Sequence, residues 1–360
     1  MNKIFNNLIQ AHRPLIIAGP CSAENENQLM ETALALKDIE GMLLFRSGVW
    51  KPRSQPGSFS GIGEKALDWL QKVKATTGLK ITVEVGNAAQ TEMALEKGVD
   101  VVWIGARTTV NPFYVQEIAE VLKGSNIPVL IKNPVTPDLP LWIGAVERFQ
   151  KSGLDDIAVI HRGFSLSSSA PYRNAPEWHI PIELKRHFPD IPMFCDPSHI
   201  SGNRKFIQKI SQIAMDLGFE GLMIETHPSP ENALSDADQQ IKPEKLKEIL
   251  SELRVSTNNM NDPLFKNNLN ILRNQIDSID HQIIELLAKR FDIVREIGDY
   301  KKLNNVTIFQ LKRWQYILKD RMQKAETSGL ERAFIKELLE KIHEHSIYIQ
   351  TQIHQQTETP

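Results

Sequence analysis

Short apolar runs recur along the first two thirds of the chain: LIIAG from residue 15, LLFRS from 43, ITVEV from 81, VVWIG from 101, VLIKN from 129, IAVIH from 157, MFCD from 193 and LMIET from 222. Each is four or five residues long and rich in branched side chains, which is the signature of a strand buried on both faces. Between them lie segments such as ENQLMETALALKDI, GEKALDWLQKVKATTG, YVQEIAEVLKG and RKFIQKISQIAMDLG, whose apolar residues recur at three- and four-residue steps. Strands alternating with amphipathic helices predict a parallel sheet, and eight such units in about 240 residues predict a closed (β/α)8 barrel. An open doubly wound sheet is the competing topology, but no glycine-rich dinucleotide fingerprint follows the first strand.

The texture changes after Leu253. RVSTNNMNDPLF is polar, carries a proline and has no period, so it reads as a linker. Leu269, Leu272, Ile276, Ile279, Ile283, Leu286, Arg290, Ile293, Ile297 and Tyr300 then follow alternating steps of three and four. A heptad seam on the order of 45 Å long exceeds what a small domain buries alone and predicts a partner helix. Two shorter helices follow, roughly FQLKRWQYILKDRMQKAE and LERAFIKELLEKIHEHSIYIQTQI, separated by TSG. The expected organisation is a TIM-barrel domain over 1–253, a linker over 254–265 and an all-α domain over 266–360.

Composition narrows the function. With 41% hydrophobic and 24% charged residues over 360 positions, two packed domains are easily formed. A net charge of −2 with no basic tract argues against nucleic acid or a membrane surface as partner. No apolar run reaches the roughly 18 residues of a membrane span, and the first residues lack the apolar middle of a signal peptide. Two cysteines, Cys21 and Cys195, are too few for a disulfide framework and suggest a reducing cytoplasm.

In a parallel barrel, chemistry gathers at the C-terminal ends of the strands. Those ends offer Cys21; Arg46 with Lys51 and Arg53; Glu84; Arg107; Lys132; His161 with Arg162; His199; and Glu225. Cys21, His199, Glu225 and Asp236 combine a thiolate, an imidazole and two carboxylates, a set suited to a divalent transition metal rather than calcium or magnesium. A buried thiol beside an unrelated histidine and acids is the competing reading, and Cys195 reads as packing. Arg46, Lys51, Arg53, Arg107, Lys132 and Arg162 form a second set, whose convergence calls for small, multiply anionic substrates.

The strings AGPCSAE, FRSGVWKPRS, IGARTT, LIKNP, HRGF, DPSH and LMIETHP…ALSDADQ, in this order, resemble type I 3-deoxy-D-arabino-heptulosonate 7-phosphate synthase over about residues 14–250. The resemblance implies condensation of phosphoenolpyruvate with erythrose 4-phosphate. It implies a metal (manganese, iron, cobalt or zinc) on Cys21, His199, Glu225 and Asp236. Phosphoenolpyruvate would sit on Lys51, Arg107, Lys132 and Arg162 with Arg46 nearby, and the sugar phosphate on Arg53 and Ser54, where the family usually has threonine at the second position. Lys51, Glu84, Lys132 and His199 are the candidate proton carriers. The related 3-deoxy-octulosonate 8-phosphate synthase shares the barrel but typically lacks the Lys-Pro-Arg-Ser/Thr motif, and is the alternative.

Arg290, a cation within an apolar seam, asks for an anion, unless it reaches the rim or pairs with Glu344. The C-terminal pattern resembles the all-helical chorismate mutase, a domain-swapped dimer, over about residues 266–355. That likeness implies rearrangement of chorismate to prephenate. Arg273 from the partner chain, Arg290, Arg313 and Ser346 would hold the two carboxylates, and Lys301 and Gln350 the ether oxygen. Gln310 and Trp314 stand where the family often has acids near the substrate hydroxyl. A non-catalytic dimerisation and sensor module is the alternative. The first strand begins near residue 15, leaving no room for the N-terminal regulatory domain some relatives carry. The helical domain is therefore expected to regulate the synthase through chorismate or prephenate, in a homodimer or a higher oligomer.

Overall fold

The computed structural model describes residues 4–5, 14–51, 57, 59–166, 171–255 and 263–355. The chain divides into two compact units, Met1–Asn258 and Asn259–Pro360.

In the first unit the strands are β1 Leu15–Gly19, β2 Met42–Ser47, β3 Ile81–Val85, β4 Val101–Ile104, β5 Val129–Lys132, β6 Ile157–His161, β7 Met193–Cys195 and β8 Gly221–Glu225. They pair in sequence order, all parallel, and β8 closes on β1. The helices are α1 Glu26–Leu36, α2 Glu64–Thr77, α3 Ala88–Glu96, α4 Ala106–Thr109, α5 Pro112–Leu122, α6 Leu139–Lys151, α7 His179–His187, α8 Pro197–Ser201, α9 Ile207–Asp216 and α10 Pro243–Glu252. Several start on side-chain caps: Asn25, Asn87 and Asp138 each accept a backbone N–H of the first turn, satisfying a donor the helix cannot.

Strand alternation sorts the core into two layers. Leu15, Ile17, Leu44, Val101, Trp103, Leu130, Ala158, Ile160, Phe194 and Met223 fill the barrel interior. Ile16, Ala18, Phe45, Ile81, Val83, Ile131, Val159 and Cys195 face the surrounding helices. Phe5 lies wholly buried in the interior cluster and meets Phe194 edge-on at 6.3 Å, its backbone N–H donating to Asp156.

The second unit consists of α11 Pro263–Leu303, α12 Leu311–Thr327 and α13 Arg332–Gln355. The long seam forms one helix, as the heptads predict. Within the chain, however, α11 turns Val294 and Gly298 toward α13, and a Cβ on Gly298 would lie 2.8 Å from Ile353. The seam residues stay open: Leu272 is 57% exposed, Ile276 58%, Ile283 49% and Ile293 56%. The expected linker borders fall largely on residues 256–262, outside the described residues.

Candidate active sites

Stepping two residues beyond an inward apolar side chain reaches the rim of the barrel with the same orientation. Leu44 is followed by Arg46, Leu130 by Lys132, Ile160 by Arg162, Phe194 by Asp196 and Met223 by Glu225. Each apolar residue plugs the interior, and each polar one is held over it. Arg46, Lys132, Asp196 and Glu225 are almost completely buried. Trp103 is the exception in kind, because two residues on stands Gly105. A Cβ there would lie 2.0 Å from Glu84 Oε1, so glycine makes the room the Glu84 carboxylate occupies.

Lys51, Glu84, Arg107, Lys132, Arg162, Arg173, His199 and Asp236 line one cavity of about 410 Å3. Lys51, Glu84 and Arg107 also form a wall of an adjoining cavity of about 390 Å3, with Trp50, Gln90 and Tyr114. Five cations face the first cavity against two carboxylates. Burial draws the Arg162 guanidinium down to about 10, Arg173 and Arg107 add to that, and Asp196 and Glu84 oppose it. Arg162 is held by Asn174, which accepts from its NH1 at 2.9 Å and donates to the His199 carbonyl at 2.6 Å. A guanidinium fixed among like charges is a seat for an anion.

The four candidate metal ligands, of which His199 and Asp236 line the cavity, meet in pairs. The Cys21 thiol donates to Asp236 Oδ2 at 3.3 Å, and His199 Nε2 stands 3.7 Å from Glu225 Oε1. Among the described residues no three His, Cys, Asp or Glu side chains form a group at metal-holding spacing. Lys51 Nζ sits 3.0 Å from Cys21 Sγ. Burial, with the nearby Glu225 and Asp236 charges, pushes the Cys21 thiol up to about 12 despite Lys51. Against the upward push of burial, His199, Arg46 and Lys51 hold Glu225 below the usual carboxylate range. His199, Arg173 and Lys51 do the same for Asp236.

The donor chemistry fits a divalent transition ion. The set is one sulfur, one imidazole nitrogen and two carboxylates, met in two pairs. Glu225 Oε1 makes no hydrogen bond although it is buried, its nearest charge being Arg46 at 3.1 Å. His199 Nδ1 lies 2.8 Å from Asp196 Oδ2, a close charge contact without hydrogen-bond alignment, and Nε2 is turned to Glu225; a carboxylate on the far nitrogen is what stands behind a metal-binding histidine.

Sequence reasoning misplaced one rim residue and missed several. His161 is turned away from the cavity into a cage of Trp142, Phe164, Trp178 and Phe219, because it is one residue out of phase with the inward Ile160 and Arg162. Arg53 and Ser54 lie outside the described residues. Asp196 was readable from the alternation, two residues after Phe194. Arg173, which donates to Asp236 at 3.0 Å and Gln239 at 2.8 Å, comes from an irregular segment with no period to reveal it.

In the helical unit Arg290 NH1 donates to Ser346 Oγ at 2.8 Å, and Gln350 Nε2 donates to the Ser346 carbonyl at 3.3 Å. Lys301 Nζ donates to the Ile308 carbonyl at 2.5 Å. Arg290 is exposed in the single chain rather than buried, since the rest of the seam is open beside it. Glu344 is not its partner and accepts instead from Lys341. His343 stacks on Trp314 at 3.9 Å and 7°, where Arg290 and Lys301 help burial to keep it neutral. Gln310 caps the start of α12 without a side-chain bond, and Arg313 lies over the Tyr316 ring at 5.4 Å. Arg273 is exposed on α11, seventeen residues and so about 25 Å of helix from Arg290, and cannot share a site with it in one chain.

A parallel barrel with a cationic cleft over a mixed thiol, imidazole and carboxylate floor, joined to a helical unit with its own cationic cluster, defines a two-domain enzyme of small anionic substrates. The chain matches the DAHP synthetase I family over residues 9–261 and chorismate mutase type II over residues 272–351. It is similar to the phospho-2-dehydro-3-deoxyheptonate aldolase of Thermotoga maritima, 33% identical over 239 residues, 66% of this chain and 68% of that one. The crystal structure of that Thermotoga protein superposes with a TM-score of 0.60 over 66% of this chain and 67% of the other. A 2-dehydro-3-deoxyphosphooctonate aldolase of Francisella tularensis is 30% identical over 272 residues, 70% of this chain and 94% of that one. The chain belongs to the DAHP synthetase I family and carries a chorismate mutase type II domain: it fuses a transferase to an isomerase.

Proposed function

We propose that the barrel joins phosphoenolpyruvate to erythrose 4-phosphate and that the helical unit converts chorismate to prephenate. The observation that carries the first reading is the cavity in which Lys51, Arg107, Lys132, Arg162 and Arg173 converge above Cys21 and Glu225. In this reading Lys51, Arg107, Lys132 and Arg162 clamp the phosphate and carboxylate of phosphoenolpyruvate, with the Arg46–Glu225 ion pair as support below. Arg53 and Ser54 take the phosphate of the sugar. Cys21, His199, Glu225 and Asp236 would hold manganese, iron, cobalt or zinc. When bound, such an ion supplies Lewis-acid polarisation of the sugar aldehyde. The clamp orients the enol carbon toward that aldehyde and offsets the charge gathered there. Bond formation leaves an electron-poor carbon that water attacks before phosphate departs. Lys51, Glu84, Lys132 and His199 are the titratable groups within reach to carry the protons.

In the helical unit Arg290, Arg313, Ser346 and the partner's Arg273 would hold the carboxylates of chorismate, and Lys301 and Gln350 its ether oxygen. The rearrangement needs no acid, base or metal, only charge placed where it develops. The open seam on α11 supports a homodimer in which each chain supplies the other's Arg273. Chorismate or prephenate bound there would restrain the barrel. Two free, buried cysteines and no helix long and apolar enough to cross a membrane among the described residues suit a cytoplasmic enzyme.

The test is phosphoenolpyruvate consumption by the full chain with erythrose 4-phosphate, with and without Mn2+, and with arabinose 5-phosphate in its place. Metal-dependent turnover with the four-carbon sugar alone is expected, and Cys21→Ser should abolish it in a folded protein. Preference for the five-carbon sugar would transfer the barrel to the octulosonate reaction. A synthase rate indifferent to chorismate and prephenate, in protein shown to bind them, would end the regulatory part.

A further inference from the structure

One carboxylate in the first unit serves two neighbours that belong to different jobs. Asp196 Oδ2 lies 2.7 Å from Lys132 Nζ and 2.8 Å from His199 Nδ1, while Oδ1 accepts the His199 backbone N–H at 3.0 Å. Asp196 is fully buried, and Lys132 nearly so. The placement follows from alternation: Phe194 fills the barrel interior, so Asp196 is turned inward just above it. The short α8 then starts at once on Pro197 and brings His199 back over the same carboxylate. Lys132 reaches it from β5, where it also lines the cavity.

Because both contacts fall on the same oxygen, they share its charge. We infer that Asp196 is a positioning residue that couples the two halves of the site: engagement of Lys132 by an anionic substrate frees Asp196 to hold His199 more firmly, so that substrate and metal strengthen each other's binding. The inference rests on the reading of His199 as a metal ligand and Lys132 as part of the phosphoenolpyruvate clamp. With the cavity empty of anion, the ammonium of Lys132 neutralises Oδ2 and weakens its grip on the imidazole. A phosphate or carboxylate placed on Lys132 competes for that ammonium, and the charge left on Oδ2 acts on the imidazole through their 2.8 Å contact. The orienting partner behind a metal-binding histidine affects metal affinity by about 10–100-fold, so a shared partner is a real lever. Coupling of this kind is reciprocal: whatever phosphoenolpyruvate does to the metal, the metal does to phosphoenolpyruvate.

Asp196→Asn is the informative variant. Asparagine caps a helix about as well as aspartate, so the bond to the His199 N–H survives and only the charge is removed. The experiment is calorimetric titration of the metal-stripped full chain with Mn2+, with and without phosphoenolpyruvate, in parent and variant. In the parent, phosphoenolpyruvate should tighten Mn2+ by at least about fivefold, within the usual range of such couplings. In Asp196→Asn, Mn2+ should bind at least about tenfold more weakly, and most of the tightening should vanish. A variant kept only as a helix cap would move neither quantity. Parent protein that binds both ligands with no mutual effect overturns the inference whether or not the variant folds. Full coupling retained in a folded Asp196→Asn overturns it as well. Parent protein that binds no Mn2+ at all overturns the reading beneath it, which is a different and separable failure.

Discussion

Replacing Gly105 with alanine adds one methyl group and tests whether the Glu84 carboxylate belongs to the synthase machinery. The backbone at 105 has φ −71° and ψ 157°, ordinary for any residue, so no conformational strain accompanies the change. The new Cβ would stand 2.0 Å from Glu84 Oε1 and 2.8 Å from its Cδ. The carboxylate must therefore retreat by at least about 1 Å, since Cβ contacts under 3.0 Å essentially never occur. Glu84 is half-buried and faces the cavity, so it has room to swing outward. The stability cost should fall at the low end of overpacking, about 1 kcal/mol, and shift Tm by about 2–4 °C for a unit of this size. A catalytic group misplaced by about 1 Å costs on the order of 100-fold in rate. The assay is kcat/KM for phosphoenolpyruvate alongside a melting curve, with the chorismate reaction of the same sample as internal control. We expect about a hundredfold fall in the first activity, an unchanged second one and a Tm lowered by only about 2–4 °C. Parental synthase kinetics in a normally folded Gly105→Ala would refute the assignment of Glu84 and the reason given for the glycine.

Three further outcomes follow from the same geometry. Burial holds His161 neutral, lowering it from 6.5 to about 3, so the unfolded chain carries one more proton between those pH values; stability is full above pH 6.5 and falls on acidification, by about 5 kcal/mol at the lower end, and denaturant titrations of His161→Phe should show a shallower acid slope. Arg290→Leu removes a guanidinium that is exposed in the single chain and bonded to Ser346; chorismate turnover should drop about 100- to 1000-fold with synthase turnover untouched, and an active variant would count against the helical site. Ile283→Glu places a charge within the open seam of α11, where Ile283 is 49% exposed; sedimentation should show a smaller species than the parent, and an unchanged oligomer would move the interface elsewhere.

The barrel was readable because its strands are uninterrupted apolar runs, and period-two alternation turned those runs into a list of rim residues. Arg46, Lys132, Arg162 and Glu225 are where that alternation puts them. His161 failed the same rule when it was counted with the rim, since it is adjacent in sequence to Arg162 and opposite in direction. Asp196 satisfies the rule, two residues after the inward Phe194, and also caps α8 through the His199 N–H. Arg173 and Asn174 were not readable, for they reach the cavity from a loop whose path depends on the assembled barrel. In the helical unit the heptads gave α11 correctly. They gave Arg290 the wrong surroundings, because the seam that looks buried in sequence stays exposed in the single chain.

The central claim is that side chains from the turn after β1, from α8, from β8 and from the segment after β8 gather about one ion beside the cationic cavity. Anomalous diffraction from crystals soaked in Mn2+ and phosphoenolpyruvate tests it directly. The account predicts one strong peak within bonding distance of Cys21 Sγ, His199 Nε2 and the carboxylates of Glu225 and Asp236, with phosphate density on Arg107 and Arg162. A peak elsewhere, or phosphate bound with no ion among those four side chains, would contradict it.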